Sequence, residues 1–296
     1  MHNGGPKEAA KTAEKARSLY QQAQIREGEA NALLKLATFQ SFDETQRFRA
    51  PRTANQAMLV FQALGDASGQ AQALQAAADA FFAQGAFDKA MEMTKKALDI
   101  SQKEGDIKDE ANALWAVAFF EKIIVQKDMD NGIQPSDESI EDAVEHTTEA
   151  STCFRTLGDA AREALALLQL SNLLCFCKDG ERALQAAKDA LECSEKVDDV
   201  QTYGSALMAM AEAYLSLGWV KLAVNAATDA KSLYEALQEP DSIGDAAALL
   251  GAAEDASQLA PDDEGMPSCP QGHPMGIFST DRDFFRCHTC DTGVKK

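Results

Sequence analysis

The sequence predicts an all-α fold built from paired helices, and three observations predict it. Alanine is the commonest residue while aromatics make up only 7%. Alanine combines the best helix propensity with a side chain small enough for close helix contact. A small-x-Ala-Leu tetrad recurs about every forty residues, and Gly-Asp dipeptides fall between the recurrences.

The tetrad stands at Ala30–Leu33, Ala71–Leu74, Ala111–Leu114, Ala164–Leu167, Gly204–Leu207 and Ala246–Leu249. Its leucines are 41, 40, 53, 40 and 42 residues apart, the 53 being one period plus an insertion. Four residues after each leucine comes a small residue: Ala37, Ala78, Ala118, Ser171, Ala211 and Ala253. In step with this run alanine pairs seven apart, Ala50/Ala57, Ala90/Ala97, Ala143/Ala150, Ala183/Ala190 and Ala223/Ala230, with Ala9/Ala16 extending the series toward the N-terminus. Gly65-Asp66, Gly105-Asp106, Gly158-Asp159 and Asp198-Asp199 close one helix and open the next, since Gly suits a helix C-terminus and Asp an N-cap. Second breaks, such as Gln84-Gly85 and Leu217-Gly218, split each period into two helices. One pair cannot bury its own apolar face, so pairs must stack.

This register resembles the tetratricopeptide repeat (TPR). Leu74 takes the family's first large position, Ala78 the small one and Phe81 the aromatic one. Phe87-Asp88-Lys89-Ala90 resembles the start of its second helix, and Ala97 the later small position. The family's terminal Pro is missing, as is its Trp at the position of Leu74. The long period with Gly-Asp linkers is similar to the repeats of kinesin light chain and of receptor-independent G-protein regulators. The resemblance implies a right-handed helical solenoid over residues 25–260, about five helix pairs with flanking half-units, preceded by a flanking helix in residues 1–24. It also implies a protein-binding scaffold.

The third repeat carries the extra residues, about Lys122 to Asp137. Asp128-Met129-Asp130-Asn131-Gly132 is not a calcium loop, because with Gly132 in the turn the first ligand would be Lys127 and the third Met129. The insertion reads as an extended helix ending in an acidic loop. The sequence contains Glu121 where repeats two and five carry an aromatic, which opens a shift of register there.

A net charge of −19 repels phosphate backbones and anionic lipid, and no run of Lys or Arg supplies a local exception. Nucleic-acid and membrane partners are therefore not expected. The chain has no apolar h-region near Met1 and no uninterrupted apolar run of membrane-spanning length. Its seven cysteines, an odd number, do not suit a disulfide framework. These features lead us to expect a cytoplasmic setting, with the nucleus left open.

After an acidic, Pro-containing linker at residues 261–268 the composition changes, with Cys, His and Phe replacing Ala. Cys269 and His273, then Cys287 and Cys290, form a C-x3-H…C-x2-C pattern. Two such pairs on tight knuckles, bridged by a hairpin, can close a tetrahedron around one zinc ion. Gly276–Ser279 and Asp283–Arg286 read as the hairpin strands, and His288 is the alternative fourth ligand. With all four positions filled by side chains, the zinc would be structural, one per chain, and would supply the folding energy that residues 269–296 lack. The module resembles zinc-ribbon and treble-clef knuckles, and four ligands fall short of the eight of a RING.

No P-loop, dinucleotide fingerprint or nucleophile elbow is present. His146 reads as a surface residue, Cys153 and Cys193 as small packing groups, and Cys175 and Cys177 point to different helix faces. Catalysis is not expected. By resemblance to the TPR family, a concave groove is lined one residue after each Leu and again four and seven residues further on. Those positions hold Gln75, Asp79 and Phe82; Trp115, Phe119 and Lys122; Leu168, Asn172 and Cys175; Met208, Glu212 and Leu215. Asn31, Gln72 and Asn112 add amides at the helix starts. The cations of a carboxylate clamp are absent. An apolar centre with amide edges suits a partner's amphipathic helix or extended segment. Two alternatives stand beside this reading: a permanent subunit of a larger complex, or a recognition role for the zinc module with the repeats as a handle.

Overall fold

The computed structural model describes residues 5–133 and 135–259 and, beyond them, the backbone of three short strands. Twelve α-helices fill the first two stretches. Helix α1 (Pro6–Gln22) and helix α12 (Pro240–Leu259) flank five pairs. These pairs are α2 (Arg26–Phe42) with α3 (Ala50–Leu64), α4 (Ala67–Ala83) with α5 (Phe87–Glu104), and α6 (Ile107–Asp130) with α7 (Asp137–Leu157). Next come α8 (Ala160–Phe176) with α9 (Gly180–Lys196), and α10 (Val200–Ser216) with α11 (Val220–Leu237). Strands β1 (Gly276–Ile277), β2 (Phe284–Arg286) and β3 (Gly293–Lys295) pair antiparallel in that order. Cys269, His273, Cys287 and Cys290 lie outside the described residues, as does the linker at 261–268.

The helix breaks follow the Gly-Asp chemistry. Gly65, Gly105 and Gly158 hold φ values of 73°, 72° and 69°, the left-handed conformation that ends a helix without a Cβ penalty. The aspartate that follows each accepts a backbone N–H of the next helix, as Asp66 does from Gly69 at 2.8 Å and Asp106 from Lys108 and Asp109 at 2.9 and 3.0 Å. Each such cap contributes about 1 kcal/mol. At the fourth linker Asp198 takes the left-handed place itself (φ 52°), and Asp199 caps α10 through Thr202.

The chain forms two compact units, Met1–Gln169 and Leu170–Lys296, with the boundary inside α8. In both, small residues sit where helices touch. Ala37, Ala78, Ala118, Ala211 and Ala253 are all fully buried, as are the seven-spaced pairs from Ala50/Ala57 through Ala223/Ala230. Ser171 stands at the corresponding place in α8 and donates its hydroxyl to the Ala183 carbonyl at 2.9 Å, so the polar atom is satisfied without loss of close approach. The N-terminal extension of this series is corrected. Ala9 and Ala16 are only half-buried, and α1 instead buries Ala10 and Ala13 against Leu36. Among the described elements α1 packs on α2 alone, which frees it from the two-sided register.

The first unit's core gathers Leu74, Leu98, Leu114, Val117 and Phe154 among the alanines. In the second unit Tyr234 packs with Ala230 and Ala246, and its hydroxyl meets Ser205 Oγ at 3.2 Å.

The third repeat differs by length. Helix α6 runs 24 residues, turns at Asn131-Gly132, and gives way to α7, whose first turn Ser136 caps by accepting from Ser139 at 3.1 Å. Its register is not shifted, because Leu114 and Ala118 keep their buried places. Glu121 is buried at the aromatic position because it has a partner there. His146 Nδ1 on α7 lies 2.8 Å from its carboxylate, so His146 is half-buried and paired, not a plain surface residue.

Candidate protein-binding cavity

The small residues at the helix contacts leave the long side chains of α2, α4 and α6 to line a shared cavity in the first unit. Its volume is about 810 Å³. The residues at one, five and eight places after the repeat leucine converge on it: Leu34, Thr38 and Ser41 from α2, Gln75, Asp79 and Phe82 from α4, Trp115 and Phe119 from α6. Gln72 and Asn112 join them. Asn31 is exposed on α2 but does not line this cavity, and neither does Leu168. Asn172, Met208 and Leu215, on α8 and α10 of the second unit, are half-buried. None of the eleven residues expected at the groove is buried.

An aromatic cluster forms one wall. Phe82 is central, with ring centroids of Phe87, Phe119 and Phe120 at 5.5, 5.6 and 5.4 Å, distances typical of favourable edge and tilted contacts. Phe119 keeps 37% of its surface exposed. Trp115 has two roles: it lines the cavity and packs on the core cluster containing Leu74 and Leu98. The end of α2 and the connector that follows it form another wall, through Phe42, 68% exposed, and Arg47. Arg47 is pinned there, donating through Nε to the Ser41 carbonyl (3.1 Å) and through a terminal nitrogen to the Ala83 carbonyl (3.2 Å).

The polar lining is partly committed and partly unspent. Gln72 donates to Ser68 at 3.1 Å, Ser68 bonds Asp109, and Arg162 holds the Asn112 side-chain carbonyl. Gln75 donates to Asp79 at 3.0 Å, but its own Oε1 is buried with no donor among the described residues. An acceptor in that state costs about 1–3 kcal/mol until something donates to it. Asp79 touches solvent yet is largely surrounded by protein in the cavity wall. That desolvation raises its pKa above the usual carboxylate value, while the Gln75 bond pulls it down.

The repeat rule, extended back to Leu33, identifies Leu34, Thr38 and Ser41. Phe42 and Arg47 carry no such signal: Phe42 ends α2 one residue beyond that spacing, and an irregular connector positions Arg47.

Among the described residues no cluster of three or more His, Cys, Asp or Glu could hold a metal. Burial pushes the Cys175 thiol up to about 11 and the Tyr214 phenol to about 12, so neither is an activated nucleophile near neutral pH. No helix among the described residues is long and apolar enough to cross a membrane.

No protein-family model matches the chain, and no curated protein is similar to it. Solved structures are similar in fold. BtubC (BKLC) from P. vanneervenii matches with a TM-score of 0.67 at 20% identity, covering 79% of this chain and 91% of that one. The TPR-like repeats of a putative kinesin light chain from Podosopora anserina match at 0.54 and 13%, covering 71% and 96%. A Rap protein complexed with Competence and Sporulation Factor matches at 0.55 and 13%, covering 85% and 71%. The fold is thus TPR-like. A further neighbour is aspartyl phosphate phosphatase F from Bacillus subtilis, at a TM-score of 0.57, so this fold alone does not exclude catalysis.

Proposed function

We propose that the chain is a non-catalytic protein-interaction scaffold whose first unit grips a segment of a partner protein in the cavity between α2, α4 and α6. The observation that carries this reading is the joining of half-exposed aromatics, Phe42, Phe119 and Trp115, to an unspent buried acceptor, Gln75 Oε1, in one cavity. Aromatic side chains supply apolar area at low entropy cost, and a fixed amide acceptor reads a backbone or side-chain N–H. A helix or extended segment offers both. The Rap protein of similar fold, solved in complex with Competence and Sporulation Factor, gives the reading further support. The acidic, odd-cysteine composition supports a cytoplasmic setting.

The test is selection of binding peptides from a displayed library on the full chain, followed by hydrogen-exchange mapping. Protection confined to α2, α4 and α6 is expected. Peptides that bind but leave those helices unprotected would overturn the site.

The zinc reading rests on the sequence pattern alone. Cys269, His273, Cys287 and Cys290 would hold one structural ion and thereby fold the C-terminal segment. If partners select variants of that segment and ignore substitutions in the cavity, the zinc module is the recognition element. If a partner survives high-salt washing as a fixed stoichiometric component, the chain is an assembly subunit.

A further inference from the structure

Helix α2 carries a second cavity on its other side, and its chemistry is opposite to that of the chain. Leu34, Thr38 and Ser41 face the aromatic cavity, whereas Leu36 and Gln40 face a space of about 830 Å³ bounded by α1, α3 and the connector at residues 43–49. Lys11 and Arg17 from α1, Arg49 from the connector and Arg52 from α3 line it, against a single acid, Glu14. That is four cations and one anion, a local surplus of three positive charges in a chain whose net charge is −19.

In so acidic a protein every cation has carboxylates available, yet these are left unspent. Lys11, Arg49 and Arg52 form no ion pair among the described residues, and Arg17 meets only Glu14, at 3.1 Å. The Arg17 Nε–H is buried with no acceptor among the described residues. Gln40, 6% exposed, accepts the Thr53 hydroxyl at 2.8 Å through Oε1, which leaves its NH₂ to donate to a ligand. A buried donor such as the Arg17 Nε–H is costly unless a ligand meets it. Arg49 is held in place over the Phe48 ring, 5.4 Å from its centroid, and Phe48 offers an apolar wall that is 67% exposed.

We propose that this cavity binds a phosphoryl group carried on a larger body, either a phosphorylated side chain of a partner or a small phosphorylated molecule. A carboxylate is neutralised by one arginine, whereas a surplus of three suits a dianion. Three planar guanidinium forks and the Gln40 amide match the several acceptor oxygens of phosphate. The cavity exceeds a bare phosphate, and the Phe48 wall suits whatever carries it. The four cations come from positions 11, 17, 49 and 52, so no basic run announces the site.

The experiment titrates the full chain, at fixed ionic strength, with inorganic phosphate, a phosphoserine peptide, and the serine and glutamate forms of that peptide. Saturable one-to-one binding of the phosphate-bearing probes is expected, weakened roughly tenfold or more by Arg52→Gln and by Lys11→Gln. Both residues are exposed, and an unchanged melt confirms that each variant is folded. Phosphate binding as tightly as the phosphopeptide assigns the site to a small phosphorylated molecule; tighter phosphopeptide binding assigns it to a modified partner. No saturable binding, binding indifferent to both substitutions, or a glutamate peptide bound as tightly as the phosphopeptide overturns the proposal.

Discussion

Gly69 on α4 lies directly beneath the ring of Phe61 on α3, so close that a Cβ on Gly69 would penetrate the ring. Phe61 is 2% exposed and has no room to retreat. Helix propensity alone favours Ala over Gly by about 1 kcal/mol. Here packing decides the sign, and Gly69→Ala is expected to destabilise the protein by about 1–3 kcal/mol in chemical denaturation. Gly244 on α12 is the control, since nothing lies within 4 Å of its virtual Cβ. Gly244→Ala should stabilise by about 0.5–1 kcal/mol. Stabilisation by both changes would show that propensity, not the Phe61 contact, governs α4.

That contrast marks how far the sequence could be read. The periodic alanines and Gly-Asp breaks are local chemistry repeated many times, so helix pairing and the places of Ala37, Ala78 and Ala118 were legible. The leucine-based register also placed Gln75, Phe82, Trp115 and Phe119 around one cavity. Gly69 was not singled out: its role depends on a ring eight residues earlier, a relation that Gly28 repeats with Tyr20 but that the later repeats do not carry. Phe42 and Arg47 were missed because Phe42 ends α2 one residue beyond the spacing counted from Leu33, and Arg47 belongs to an irregular connector. The partnership of Glu121 with His146 joins two helices across the insertion, and no spacing rule spans an insertion of variable length.

The Glu121–His146 contact makes stability depend on pH. The Glu121 hydrogen bond holds the His146 pKa above its ordinary value of 6.5, against a smaller opposing effect of burial. A group whose folded pKa is raised contributes fully below the unfolded value and loses that contribution as pH rises through the folded value. Stability should therefore decline as pH increases from about 6.5, by at most about 1 kcal/mol for a partly exposed pair. His146→Gln should flatten this slope in thermal melts. A His146→Gln protein with the wild-type slope would assign the pH dependence elsewhere.

Zinc is tested by elemental analysis and by spectroscopy together. One zinc per chain is expected, and Cys287→Ser combined with Cys290→Ser should abolish it. The helical signal of the double variant should match wild type, since none of the proposed ligands lies in α1–α12. Metal-free wild-type protein, purified without chelator, would refute the ligand set.

The aromatic cavity is best tested away from Trp115. Truncation of a buried Trp costs about 3–5 kcal/mol, and Trp115 packs on the core as well as lining the cavity. Loss of binding in Trp115→Ala would therefore mix unfolding with lost contact. Phe42 and Phe119 separate the two effects. Phe42 is 68% exposed at the end of α2, and the connector after it is held by the Arg47 bonds. Phe42→Ala is thus expected to change stability by no more than about 0.5 kcal/mol. Phe119 touches Phe82 and Phe120, so Phe119→Ala should cost more, about 1 kcal/mol. Each should weaken a cavity-selected peptide about tenfold or more, an effect of about 1.4 kcal/mol or greater in binding. Calorimetry on the peptide and denaturation of the same preparations give both numbers. Binding that falls only in proportion to stability would reduce these rings to structural packing. Binding lost in a protein that melts like wild type is the result the cavity predicts, and Phe42 is where it should be clearest.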